Sequence, residues 1–207
     1  MRLECYAASR PQQGRTQNED AFLIHRGERP VVALCDGAGN AELAAKRVLA
    51  LLEKLVATAS PEQLTDAAAW EHWTKILDSS LLGGSQSTFV GVTIVGQLVV
   101  GACAGDSRAY LLDRDGRCHI LTEGASKQRL GSGAVQPFTF RLTMNARDTL
   151  LLLSDGAWTP LTLYLLQKAV MAAALRHFSE VPQSILDAAG RTGRADDMTA
   201  VALRLVP

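Results

Sequence analysis

At 207 residues, 47% of them hydrophobic and 20% charged, the chain has the apolar content of a globular protein and too little polar excess for a disordered one. Its 21 basic side chains are balanced by 21 acidic ones, so no global field draws it to nucleic acid or to an anionic membrane. No apolar run approaches the ~18 residues of a membrane span, and no linker or compositional break divides the sequence, so one domain over residues 1–207 is expected. Met1-Arg2-Leu3-Glu4-Cys5 lacks the apolar core of a signal peptide, which makes the expected location cytoplasmic. Cys5, Cys35, Cys103 and Cys118 are scattered and form no Cys-x-x-Cys pair, which argues against a zinc site and a disulfide framework.

Glu4 to Ser9 is a candidate first strand, ended by Pro11-Gln12-Gln13-Gly14. The polar cluster Arg15-Thr16-Gln17-Asn18-Glu19-Asp20 then runs into a second strand at Ala21 to Ile24, and its one arginine and two carboxylates could position a phosphate and a metal together. Arg26 to Pro30 reads as a hairpin turn. The apolar run from Val31 to Cys35 ends at Asp36, followed by Gly37-Ala38-Gly39. Taken alone, Asp-Gly after a strand is an ordinary turn.

Asn40 can cap a helix, and Leu43, Val48, Leu51, Leu52 and Leu55 follow at helical spacing. Ser60-Pro61-Glu62-Gln63 is a capping box that starts a second helix to about Leu77, on which Trp70, His72 and Trp73 read as packing residues. Gly83-Gly84-Ser85 breaks the helix. Thr88 to Val95 and Leu98 to Ala104 flank Gly96-Gln97, a type II′ hairpin signal, and both strands are apolar or small on each face. Strands are expected over Arg108 to Leu112, Arg117 to Thr122 and Phe138 to Leu142, with a glycine-containing loop from Glu123 to Gln136. Thr149 to Leu153 again carries an apolar strand to a carboxylate, Ser154-Asp155-Gly156. Thr159-Pro160 starts a third helix with Leu161, Leu165, Ala169, Ala172 and Leu175 on its apolar side, and Pro182 starts a fourth ending at Gly190. Asp196-Asp197 stands at the entrance of the last strand, which need not be a sheet edge.

Four of these sites, Asp36, Asp106, Asp155 and Asp196-Asp197, put acids without local basic partners at the ends of apolar strands. A folded sheet can gather them at one rim, where their repulsion calls for a cation. An all-oxygen donor set suits magnesium or manganese and disfavours zinc.

Arg15-x-x-x-Glu19-Asp20, Asp36-Gly37-x-Gly39, Gly105-Asp106-Ser107-Arg108-Ala109-Tyr110, Leu153-Ser154-Asp155-Gly156 and Asp196-Asp197-Met198-Thr199 occur in the order and context of the metal-dependent protein phosphatases of the type 2C class. The chain resembles a compact bacterial member of that family. The resemblance implies an α+β fold, a four-layer α-β-β-α sandwich of two antiparallel sheets with paired helices on each outer face. It implies that Asp36 bridges two Mg²⁺ or Mn²⁺ ions, that the Gly37 carbonyl adds a ligand, and that Asp155 and Asp196 complete one shell. Glu19 and Asp20 then line the water side, Asp106 serves a third ion, and Arg15 binds phosphate. The implied reaction is hydrolysis of phosphoserine or phosphothreonine by direct attack of a metal-activated water, on a phosphorylated protein partner such as a kinase-regulated signalling protein. No phosphoenzyme is implied, so Ser107 and Ser154 read as turn residues.

Three departures stand out. Position 38 is alanine where some members have histidine, position 40 is asparagine in place of glycine, and the segment between residue 122 and the strand before Asp155 is too short for a full flap. Gly124-Ala125-Ser126 replaces the usual Asp-His-Ser. These departures keep open an alternative, a catalytically weak regulatory or binding module on the same fold; an unrelated small-molecule phosphohydrolase would leave the ordered motifs unexplained.

Overall fold

Strands that are apolar on both faces must be covered on both sides, and that requirement shapes the architecture. The computed structural model describes residues 1–27, 30–38, 42–193 and 196–207, and for Glu42 the backbone only. In chain order the elements are β1 (Arg2–Arg10), β2 (Asp20–His25), β3 (Val31–Ala38), α1 (Glu42–Thr58), α2 (Pro61–Leu64), α3 (Ala67–Ser80), β4 (Gln86–Ser87), β5 (Phe89–Val95), β6 (Leu98–Ala104) and β7 (Arg108–Leu112). They continue as β8 (Cys118–Ile120), β9 (Phe138–Thr143), β10 (Thr149–Leu153), α4 (Asp155–Trp158), α5 (Leu163–Ala174), a 3-10 turn at Phe178–Glu180, α6 (Val181–Gly190) and β11 (Met198–Val206). One antiparallel sheet has the order β1-β11-β10-β7-β8, and the other β2-β3-β5-β6-β9 with β4 paired to β3. The last strand is therefore interior, hydrogen-bonded to β1 and β10.

Side-chain alternation assigns the layers. In β3, Val31, Ala33 and Cys35 pack with α1 and α3, while Val32 and Leu34 face the other sheet. In β10 and β11, Leu151, Leu153, Ala200 and Ala202 pack with α5 and α6, while Leu150, Leu152, Val201 and Leu203 complete the layer between the sheets. Period 2 along each strand thus builds the four-layer α-β-β-α sandwich. Each fully buried Leu or Val contributes about 1.5–3 kcal/mol. Cys5, Cys35 and Cys103 are free thiols inside this core, and burial pushes Cys5 and Cys103 up to about 12, so they behave as apolar residues. Trp70 and Trp73 meet edge to face, and Trp70 Nε1 donates to the Leu64 carbonyl at 3.1 Å. The Gly96-Gln97 turn has φ 64° at Gly96 and closes a Val95–Leu98 pair, as a type II′ hairpin requires.

Several boundaries differ from expectation. The helix anticipated from Ser60 to Leu77 is two, because Asp66 caps a fresh start by accepting from Ala68 N–H, after the Ser60 capping box has served only α2. The third helix begins at Leu163 with Thr162 as its cap, and Pro160 lies between it and α4. On α5 the buried residues are Leu166, Val170 and Ala173, while Leu165 and Leu175 face solvent; this helix is apolar nearly all round, so periodicity could not select its inner face. Leu43 is likewise exposed on α1. The strand expected from Arg117 to Thr122 shortens to β8. The capping role of Asn40 and residues 28–29 of the turn at 26–30 lie outside the described residues. Among the described residues no helix is long and apolar enough to cross a membrane.

Candidate active site

The strand phases that build the inter-sheet core also carry polar residues to its upper edge. Asp36 continues the Val32-Leu34 face of β3, Asp20 shares the phase of Ile24 in β2, Ser154 follows Leu150 and Leu152, and Thr199 precedes Val201 and Leu203. Asp20 and Asp36 are direct cross-strand partners. Ser154 joins the two sheets: its hydroxyl donates to Asp20 Oδ2 at 2.8 Å and accepts from Thr199 N–H at 2.8 Å. Asp20 Oδ1 is buried with no hydrogen-bond partner.

Burial pushes Asp20 up to about 7, with Asp197 and Asp155 adding to the shift and hydrogen bonds from Thr199 and Ser154 opposing it. Asp36 rises to about 9, first through burial and then through the charges of Asp20 and Asp155, with Asp106 adding and Arg129 opposing. Asp20, Asp106 and Asp155 thus all bear on Asp36, and the four line one acid rim. Its backbone is well fixed. Thr88 Oγ1 accepts from Asp36 N–H at 2.9 Å and shares a buried hydrogen bond with Ser107 Oγ at 2.6 Å, while Gly37 N–H donates to the Glu19 carbonyl at 3.1 Å.

Asp155 opens α4, and the glycine after it is required. A Cβ at Gly156 would collide with the Asp197 carbonyl oxygen and stand 3.1 Å from the Asp196 Cβ, so only glycine lets the start of α4 close on the 196–197 segment. The two neighbouring aspartates there differ. Asp197 Oδ1 accepts from Gln12 N–H and Oδ2 from Glu19 N–H, each at 2.6 Å, so its carboxylate clamps both ends of the β1–β2 connection. Asp196 Oδ1 accepts from Asp197 N–H at 2.9 Å.

Beside Asp106 and Asp155 lies a cavity of about 300 Å³ whose wall includes Arg108, Thr122, Lys127 and Trp158. The Arg108 guanidinium stacks 3.6 Å from the centre of the Trp158 ring, and Trp158 Nε1 donates to the Asp106 carbonyl at 2.9 Å. Arg15 is exposed and shares a second hollow with Glu19, lined also by Gly14, Thr16 and Gln17.

Among the described residues no group of three or more His, Cys, Asp or Glu side chains is arranged to hold a metal ion. The acids are neighbours, and their donor chemistry fits a divalent cation. All are oxygen donors, buried oxygens of Asp20 and Asp106 lack hydrogen-bond partners, and burial followed by like charge raises both Asp20 and Asp36. Ser154 and Arg129 were not anticipated as site residues. Period 2 from Leu150 and Leu152 predicts where Ser154 points, whereas nothing local to Arg129 signals its place.

The fold is that of type 2C-like phosphatase domains. The chain belongs to the Stage II sporulation protein E (SpoIIE) family, whose model matches residues 26–206; Arg15, Glu19 and Asp20 precede the matched segment. No curated protein sequence matches the chain. Among solved structures, the catalytic domain of the serine/threonine protein phosphatase PstP in complex with two manganese ions is similar at 24% identity and TM-score 0.84, covering 99% of both chains. The Mycobacterium tuberculosis phosphatase PstP/Ppp is similar at 24% identity and TM-score 0.82, with 99% of both chains covered. Staphylococcus aureus Stp1 is similar at 21% identity and TM-score 0.87, covering 100% of this chain and 96% of that one. At these identities the likeness establishes the fold.

Proposed function

We propose that this chain is a Mg²⁺- or Mn²⁺-dependent protein serine/threonine phosphatase that hydrolyses phosphoserine or phosphothreonine in a protein partner. The observation that carries the reading is the acid rim: cross-strand Asp20 and Asp36, together with Asp106 and Asp155, held by a fixed backbone, with buried oxygens of Asp20 and Asp106 that accept no hydrogen bond. Asp36, Gly37 through its carbonyl, Asp106, Asp155 and Asp196 would hold the ions, with Glu19 and Asp20 beside them. When bound, the ions lower the pKa of water and offset charge on the phosphoryl oxygens.

The chain's own residues supply the rest. Arg15 offers a planar fork to two phosphoryl oxygens, and its exposure leaves it free to meet an incoming group. Asp197 keeps Glu19 in place through the 2.6 Å bond to its N–H. The cavity bounded by Trp158 and Arg108 can receive residues flanking the phosphorylated one. Ser107 and Ser154 hold buried hydrogen bonds within the scaffold and form no phosphoenzyme. Ala38 offers no imidazole to the leaving alcohol.

Hydrolysis of an aryl phosphate and of a phosphothreonine peptide, measured with Mn²⁺, with EDTA and with Asp36→Asn, tests this reading. Activity with Mn²⁺ that EDTA removes and the substitution lowers by about 10²–10³-fold is expected. Activity insensitive to both would overturn the site. A folded protein that binds Mn²⁺ and hydrolyses neither substrate would instead be a binding module.

A further inference from the structure

Residues 123–136 have no strand or helix period, yet part of this loop is anchored to the sheet and to a helix. Leu130 is fully buried and exchanges both backbone hydrogen bonds with Ser87, at 2.8 and 3.2 Å. Ser87 in turn pairs with Gly37, and its hydroxyl donates to the Asp36 carbonyl at 3.1 Å. Near the end of α3 the buried Asp78 carboxylate accepts from Gly131 N–H at 2.7 Å and from Gly133 N–H at 3.3 Å. Gly131 and Gly133 adopt φ of 90° and 72°, which a side chain would disfavour. The residue just before these anchors is Arg129.

Its Nη2 lies 3.8 Å from Asp106 Oδ1, a buried oxygen without a hydrogen bond. That separation is ion-pair range and too long for a hydrogen bond, so the guanidinium offsets charge without satisfying the oxygen. Its field also reaches Asp36. At 31% side-chain exposure the guanidinium has solvent into which it can turn.

We propose that Arg129 is a built-in counter-cation of the acid rim, holding the Asp106 side while no divalent ion is bound and withdrawing when one loads. The loop anchored through Asp78 and Leu130 sets how firmly the guanidinium competes. This rests on the metal-dependent reading above, and it makes Arg129 a positioning residue that weakens apparent metal affinity.

Calorimetric titration of the full chain with Mn²⁺ tests it, comparing wild type, Arg129→Gln, Arg129→Lys, Asp78→Ala and, as a control on the exposed β7–β8 turn, Arg114→Gln. Removing one positive charge near a dication should make Arg129→Gln bind Mn²⁺ about tenfold more tightly, while Arg129→Lys stays within about twofold of wild type. Asp78→Ala deletes a negative charge, which alone would weaken cation binding; release of the loop should tighten it instead. Equal or weaker binding by Arg129→Gln, in protein whose thermal melt shows it folded, overturns the proposal, as does equal tightening in Arg114→Gln. Weaker binding by Asp78→Ala removes the anchoring role. Absence of Mn²⁺ binding in wild type would overturn the metal-dependent reading, and this inference with it.

Discussion

Asp197 and Asp36 both meet the acid rim at the end of an apolar strand, but their surroundings assign them opposite work. Asp197 is buried with both oxygens filled by backbone N–H donors at 2.6 Å, an arrangement that stabilises a carboxylate without any cation. Asp36 faces burial and like charge, and rises to about 9. The first is a structural clamp, and the second is a group whose ionised form needs a counter-charge. Two aspartates of the same sequence context are thus separated by who donates to them.

The largest effect on stability should follow from breaking the clamp. Asp197→Ala leaves two backbone N–H groups unpaired at about 1–3 kcal/mol each, so about 2–5 kcal/mol of stability should be lost, a fall in Tm of about 5–15 °C for a chain of this size. Thermal denaturation in EDTA measures it without reference to metal. A fall of under a degree would mean that the clamp is ornamental and that the contrast with Asp36 is false.

The same contrast gives Asp36→Asn the opposite sign. With folded values of about 7 for Asp20 and about 9 for Asp36 against an ordinary 3.8, the folded metal-free protein binds more protons than the unfolded chain across that interval. Stability is therefore full below the ordinary carboxylate value and declines as pH rises through about 7 and then about 9. In EDTA at pH 8–9, Asp36→Asn should raise Tm by about 2–6 °C and flatten the decline, while saturating Mn²⁺ should flatten it in wild type. A metal-free protein equally stable at pH 6 and pH 9 would contradict the charge deficit.

Much of this was legible in the sequence because period 2 carries through the sandwich. Val32-Leu34-Asp36 and Leu150-Leu152-Ser154 each extend a core face to the rim, so the strands and the acids at their ends could be read together. The α5 face could not, since Leu165, Leu166, Val170 and Leu175 are alike in chemistry and only the tertiary contact chooses among them. Arg129 and Asp78 were hidden for another reason: they matter through backbone N–H groups and through a neighbour 23 residues distant in sequence, Asp106, relations that no local pattern encodes. Nor could the Asp196-Asp197 pair itself show that both Asp197 oxygens are filled by backbone donors from residues 12 and 19.

The smallest expected effect concerns Ser154, which belongs to both halves of the comparison. It helps satisfy Asp20 by donating at 2.8 Å, and it accepts from Thr199 N–H at 2.8 Å, so it couples the charge-deficient sheet to the clamped one. Ser154→Ala removes the donor to Asp20 and strands one buried N–H, which should cost about 1–3 kcal/mol. On the proposed metal-dependent function the serine only orients a neighbour of the ions, so Mn²⁺-dependent hydrolysis should fall about tenfold, the lower end of what loss of an outer-shell partner does. Ser154→Thr keeps the hydroxyl and should recover part of the activity if the buried site admits the extra methyl. A residue forming a covalent phosphoenzyme would behave differently, losing turnover altogether in Ser154→Ala and trapping phosphate on the wild-type chain. Kinetics of the alanine variant, with a search for labelled wild-type protein after quenching, separates the two outcomes.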